Sequence, residues 1–246
     1  MKLFNLAKID YTFEGFKVHN PSLKELFEIF ETENDLIFCL QILTMPLKET
    51  LKLTGNAQVT EFQLFQTLIL TQKEIAQITA VHKMKIIKLL LLLFPESTLE
   101  LFNDHFIFKK EDKIVLISGD NFDNFKDILS QMFDLKSIFA SDKDKELGYN
   151  PYNKEAEKIA KKLEEGKKRL AELKNEGAHS LFENYLSVLS VGFGIPVTTL
   201  SETLTLYALI KTYKRFVAKI AWDMDIKCRL AGGTPSDSPD NWMTAD

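Results

Sequence analysis

The sequence predicts a mainly α protein of the α+β kind, and three observations carry that prediction. Glycine and proline number 10 and 7 in 246 residues, about 4 % and 3 % where about 7 % and 5 % are usual. Few punctuating residues imply long elements. The intervals 56–94 and 197–231 contain neither residue, and such lengths suit helices rather than strands. All the clear β-prone runs lie in the first 140 residues. The expected architecture is an N-terminal helical domain with a small antiparallel sheet, followed by an all-helical C-terminal region with a coiled-coil-like helix.

Ile9 to Phe13 and Phe16 to Val18 are short β-prone runs separated by Glu14-Gly15, which reads as a hairpin. Asn20-Pro21-Ser22 supplies a stop and a helix cap, after which Leu23, Leu26, Phe27 and Phe30 follow at helical spacing. Residues 35–53 and 60–71 predict further helices. The stretch 73–94 carries Ile75, Ile78, Val81, Ile86, Leu89, Leu90 and Leu93, so little polar face remains at its end. Such a helix belongs in a core or an oligomer interface. Leu99 to Phe102, His105 to Phe108 and Lys113 to Ile117, separated by turn-like residues, read as a small antiparallel meander. Asp120 and Asn121 then offer cap chemistry for a helix with Phe122, Phe125, Ile128, Leu129, Met132 and Phe133 on its periodic face.

The polar stretch 141–152 reads as a linker, placing an α+β domain at 1–140 and a helical domain at 153–233. Within the latter, Ile159, Leu163, Leu170 and Leu173 form a seam spaced by threes and fours, with Glu157/Lys161, Glu164/Lys168 and Glu165/Arg169 as four-spaced ion pairs. Gly177 ends that helix. Leu181, Tyr185, Leu186, Val188 and Leu189 predict another, stopped by Gly192, Gly194 and Pro196. A long helix follows through Leu206, Leu209, Tyr213, Phe216, Ile220 and Met224 up to Gly232-Gly233. The polar segment 234–246 ends in Asn241-Trp242-Met243 and reads as a flexible tail. Trp242 and Met243 suit either a partner anchor or an end pinned onto its own domain.

Composition narrows the function classes. With 31 Lys and Arg against 35 Asp and Glu, net charge −4, no bulk basic field exists to hold nucleic acid or an anionic membrane. Cys39 and Cys228, distant in the chain, make neither a zinc quartet nor a disulfide framework, and fit reduced thiols in a cytosol. The run from Met1 to Asp10 lacks the apolar stretch of a secretory signal, and Ile86 to Phe94, broken by Lys88, is too short to span a bilayer. His19, His82, His105 and His179 share no ligand spacing. Asp223 and Asp225 are two apart on a helix and point in different directions. Asp142 to Lys145 lacks the glycine and glutamate of a calcium loop, and Gly192-Phe193-Gly194 lacks the lysine and strand of a phosphate loop. The reading is of a binding protein, with no catalytic residue, cofactor or metal.

Asn121-Phe122-Asp123-Asn124-Phe125-Lys126-Asp127-Ile128-Leu129, Tyr149-Asn150-Pro151-Tyr152 leading into the charged helix with Gly166-Lys167, Ala221-Trp222-Asp223-Met224-Asp225-Ile226, Arg229-Leu230-Ala231-Gly232-Gly233 and Asn241-Trp242-Met243 together resemble proteins of the tail-assembly modules of phages and prophages of Gram-positive bacteria. The resemblance spans about 120–246. It implies a tail assembly chaperone that coats the tape-measure protein and presents it to tail-tube subunits, acting in the host cytoplasm without a cofactor. The alternatives are a permanent component of the tail or connector, residing in the virion, and a nucleic-acid-binding regulator. That last role requires the basic positions of 211–229 to share one exposed face. The expected contact residues are Ile159, Leu163, Leu170, Leu173, Trp242 and Met243, and a second copy of the chain is a further candidate partner.

Overall fold

Glu14 and Gly15, at φ 48° and 77°, form the two-residue turn that joins β1 (Tyr11–Phe13) to β2 (Phe16–Val18). Positive φ at both turn positions matches the right-handed twist of a tight hairpin. The computed structural model describes residues 9–51, 59–71, 78–102, 104–134 and 180–231, and element labels run in chain order through these residues. Tyr11, Phe13, Phe16 and Val18 are buried while Thr12 and Lys17 face outward, so one side of the hairpin packs inward.

Helix α1 (Leu23–Ile29) starts at a complete capping box. The Glu25 amide donates to the Ser22 hydroxyl, and the Glu25 carboxylate accepts from the Ser22 amide at 2.7 Å. Helix α2 (Glu33–Thr44) is capped by Thr32, and the short α3 (Leu47–Thr50) follows. The expected helical region 35–53 is therefore divided, because Pro46 offers no amide and holds Met45 in an extended conformation. Helix α4 (Glu61–Leu70) opens on a Thr60/Gln63 capping box. Helix α5 (Ala80–Leu93) opens on Thr79, with His82 in the reciprocal position. Its apolar end is core, as Ile86, Leu89, Leu90 and Leu93 are buried, while Val81 and Met84 face outward. Residues 72–77 lie outside the described residues.

β3 (Thr98–Leu101), β4 (His105–Lys110) and β5 (Lys113–Ser118) form the expected antiparallel meander, in the order β3-β4-β5. The register pairs Leu99 with Phe108 and Phe108 with Val115, and one rung on, Leu101 with Phe106 and Phe106 with Ile117. These residues share the sheet's inner face. Helix α6 (Phe122–Phe133) lies against it. Asn121 precedes α6, but its side chain makes no cap bond. It accepts from the Ser118 amide and donates to the Leu116 carbonyl, turning back onto β5.

The inner face meets two phenylalanine groups. Phe108 touches Phe94, which contacts Phe16 and Phe125, and Phe125 meets Phe13. Phe106 contacts Phe62 and Phe65, and both of those meet Phe122. Offset and edge-on ring pairs of this kind add about 0.5–1.5 kcal/mol beyond burial.

α7 (Leu181–Phe193), α8 (Val197–Thr203) and α9 (Leu206–Leu230) complete the described chain. They join the same core, to which Phe182, Leu186, Leu189, Leu200, Leu206, Leu209 and Ile210 contribute. Backbone stitches the two halves together: the Leu23 amide donates to the Leu204 carbonyl at 2.9 Å, beside an isolated Ser22–Thr205 bridge. Two expectations change here. Gly192 does not stop α7, which runs on to Phe193 and closes at Gly194 in the left-handed region at φ 66°. A separate short helix, α8, stands before the long one. The fold is mainly helical with a small antiparallel sheet in its N-terminal part. The expected linker 141–152, the seam helix and the tail 234–246 lie outside the described residues.

Candidate protein-interaction surface

α7 is held at its start by a carboxylate from the other half of the chain. Glu33 accepts from the Ser180 hydroxyl at 2.7 Å and from the Phe182 amide at 3.3 Å, so a negative charge meets the helix's positive end. Phe182, Leu186 and Leu189, spaced by four and three, turn into the core. At the other end the Ile195 amide donates to the Ser190 carbonyl, and the Ser190 hydroxyl donates to the Ile195 carbonyl at 2.6 Å. That closes the corner between α7 and α8 and fixes the side chains on it.

α9 begins buried and emerges. Thr205 caps it by accepting from the Ala208 amide, and Leu206 to Ile210 are all buried. One turn on, α7 covers a single side: Tyr213 stacks on Tyr185 at 3.8 Å between ring centroids, and Phe216 meets Phe193 edge-on at 5.2 Å. Past Phe216 every described side chain is exposed or half-buried, over about 20 Å of helix. The covered line Leu209, Tyr213, Phe216 continues at the next helical step into Ile220.

The ledge is the set of apolar side chains that the α7–α8 corner and α9 leave exposed. Val188, Val191 (86 % exposed), Phe193 (47 %), Ile195 and Val197 occupy the α7–α8 corner. Val217 (43 %), Ile220 (42 %), Ile226 and Leu230 occupy α9. Scattered surface apolar residues are ordinary; those of α7 and α9 stand on elements that pack on each other, which makes them the candidate interaction surface. Arg215, Lys219 and Lys227 are exposed along the same helix.

Other chemistry-bearing groups are committed to structure. His19 bridges Asp10 at 3.2 Å and Glu25 at 3.0 Å, tying the hairpin to α1. Lys85 pairs with Asp35 at 2.6 Å, and that ion pair holds the Asp35 carboxyl below its ordinary range. Lys126 pairs with Glu61, whose carboxylate also accepts from the Leu47 amide. Burial pushes the Cys39 thiol up to about 12, which leaves it inert as a nucleophile. A groove of 690 Å³ between the α1–α2 turn and the start of α7 is lined by Phe27, Phe30, Glu31, Asn34 and Glu183 among others, with the Glu33 carboxylate engaged in capping.

The sequence-predicted contact residues Ile159, Leu163, Leu170, Leu173, Trp242 and Met243, and His179, lie outside the described residues. Asp223 is exposed on α9, one turn beyond Lys219. The sequence reading placed Val188 and Ile220 on periodic helix faces and did not mark them as exposed, although α7 carried a signal: Leu181 to Phe193 holds more apolar residues than one helix face accommodates. Compared with known proteins, the chain matches no family model, no curated protein and no solved structure.

Proposed function

We propose that this chain works by binding, as a phage tail assembly chaperone that holds the tape-measure protein in the host cytoplasm and helps recruit tail-tube subunits. The observation that supports the reading is the ledge, whose side chains from Val188 to Val197 and from Val217 to Leu230 stand exposed on a well-packed body. A chaperone for a long helical client needs such a surface, needs no cofactor, and gains from several moderate contacts rather than one tight site. The resemblance over 120–246 supplies the client. Ile159, Leu163, Leu170, Leu173, Trp242 and Met243 are assigned in this proposal to the same client.

The test is co-expression with the tape-measure protein of the same phage. The client is expected to stay soluble and co-purify, and deletion of 241–246 to weaken recovery, because aromatic anchors often dominate interface energy. No complex, with stoichiometric recovery of the chain from mature virions, would transfer it to the permanent tail components.

A further inference from the structure

His19, directly after β2, has a carboxylate on each side of its ring. Its Nδ1 lies 3.2 Å from Asp10 Oδ1, just ahead of β1, and its Nε2 lies 3.0 Å from Glu25 Oε1 on α1. Partial burial pushes both carboxyls up, but Lys17 and the Asn20 amide outweigh it at Asp10 and Ser22 outweighs it at Glu25, with His19 contributing to each, so both are held below their ordinary range. Above about pH 5 they are ionised and can only accept hydrogen bonds. A neutral imidazole has one N–H and one lone pair, so either tautomer turns a lone pair onto a carboxylate oxygen. The ring with a proton on each nitrogen donates to both. We propose that His19 is a proton-operated clasp between the hairpin and α1, closed while both ring nitrogens carry a proton and open on one side when one of them gives its proton up. The proton leaves to water, which reaches the ring because its side chain is 22 % exposed.

The surroundings let the clasp open without stranding a charge. Asp10 keeps its ion pair to Lys17 at 2.7 Å and its bond from the Asn20 amide at 2.9 Å. Glu25 keeps the Ser22 amide and hydroxyl, at 2.7 and 2.6 Å, so the cap of α1 stays made. What is lost is the tie from hairpin to helix. Of the other charges nearby, Lys24 on α1 is paired with Glu202 of α8 at 3.0 Å, and α5 meets His19 with the Leu93 carbonyl, which accepts from the His19 amide at 2.8 Å. Phe13 against Phe125 and Phe16 against Phe94 still hold the hairpin to the core, so opening loosens it locally and leaves the fold in place. The sign follows from the donors. Two bonds made in the folded protein by the doubly protonated ring stabilise the hairpin at the acidic end of the range in which histidine changes charge, and that support fades toward the alkaline end.

The experiment follows amide hydrogen exchange of the full chain, corrected for the intrinsic rate, from about pH 5.5 to about pH 8.5. Amides of β1 and β2, which pair Tyr11 with Val18 and Phe13 with Phe16, are expected to lose about tenfold in protection across that range. The reference is α6, which carries no histidine and is expected to hold its protection. In His19→Arg, whose side chain keeps its charge and several donors, hairpin protection is expected to be the same at both ends of the range. In His19→Gln it is expected to be equally flat, at the lower level. The wild-type ring supplies a readout that needs no variant. By nitrogen NMR both ring nitrogens are expected to carry a proton while the hairpin is protected, and one of them to have lost it where protection has fallen. Flat wild-type protection would overturn the proposal, as would a drop that persists in His19→Gln or a singly protonated ring beside a fully protected hairpin. None of these outcomes involves a client protein, so the clasp and the tail-assembly reading stand or fall separately.

Discussion

Gly192 sits with its α-carbon against the ring of Phe216, where an added Cβ would lie 2.2 Å from Cζ and under 3 Å from both Cε atoms. Gly192→Ala must displace that ring, which is itself fixed against Phe193. A loss of about 1–3 kcal/mol is expected in denaturant titration, and an unchanged midpoint would show that Phe216 has room to retreat. The sequence reading took Gly192 for a helix stop because glycine has two uses, permissive backbone and absent bulk. Of the two glycines at this corner, Gly194 exercises the first and Gly192 the second. Glu25 offers a residue-scale test by pH. Burial pushes its carboxyl up, but hydrogen bonds from the Ser22 hydroxyl and amide and from His19 outweigh that and hold it at about 2, against an ordinary 4.5. A depressed folded value stabilises the protein fully above 4.5, and the contribution fades as pH falls toward 2. Wild type is therefore expected to lose stability relative to Glu25→Gln over that window, as measured by melts at successive pH values. Parallel curves would deny the linkage.

Element boundaries followed local chemistry where the chemistry was unambiguous. The caps at Ser22 and Thr60 began α1 and α4, and the Glu14-Gly15 turn made the hairpin. Two elements departed for reasons sequence spacing does not carry. α8, with its run of threonines and serine and no side-chain cap, is a poor helix in isolation and is supported by packing on α1. Asn121 had the residue type of a cap but found better partners on the outer edge of β5, where it occupies the Leu116 carbonyl and Ser118 amide as a further strand would. Asn121→Ala is expected to cost about 1 kcal/mol and to uncover an edge with Ile114 and Leu116 already exposed. Concentration-dependent light scattering should rise for that variant, and behaviour like wild type would show the edge to be protected by other means.

At the scale of the molecule, one core gathers side chains from the hairpin, the meander and α1 to α9. Leu189→Ala, in the C-terminal part, is expected to cost about 2–5 kcal/mol and to shift the exchange of amides in α1 along with those in α7. Protection that fell in α7 alone would mean that the C-terminal helices open separately. The fold class was legible because the hydrophobic period reports which elements form. The ledge was not, because period does not report which apolar residues find cover. Leu186 and Leu189 vanish into the core, while Val188 and Val191, of the same chemistry and in the same two turns of α7, stay in water.

The bond from the Leu23 amide to the Leu204 carbonyl has a consequence in time. During synthesis at roughly 5–20 residues per second, α1 leaves the ribosome on the order of ten seconds or more before the residues that complete its surroundings exist. Leu23 and Leu26, fully buried in the finished protein, have until then no α8 to lie against. The young chain must therefore wait with part of its interior open until the last helices arrive.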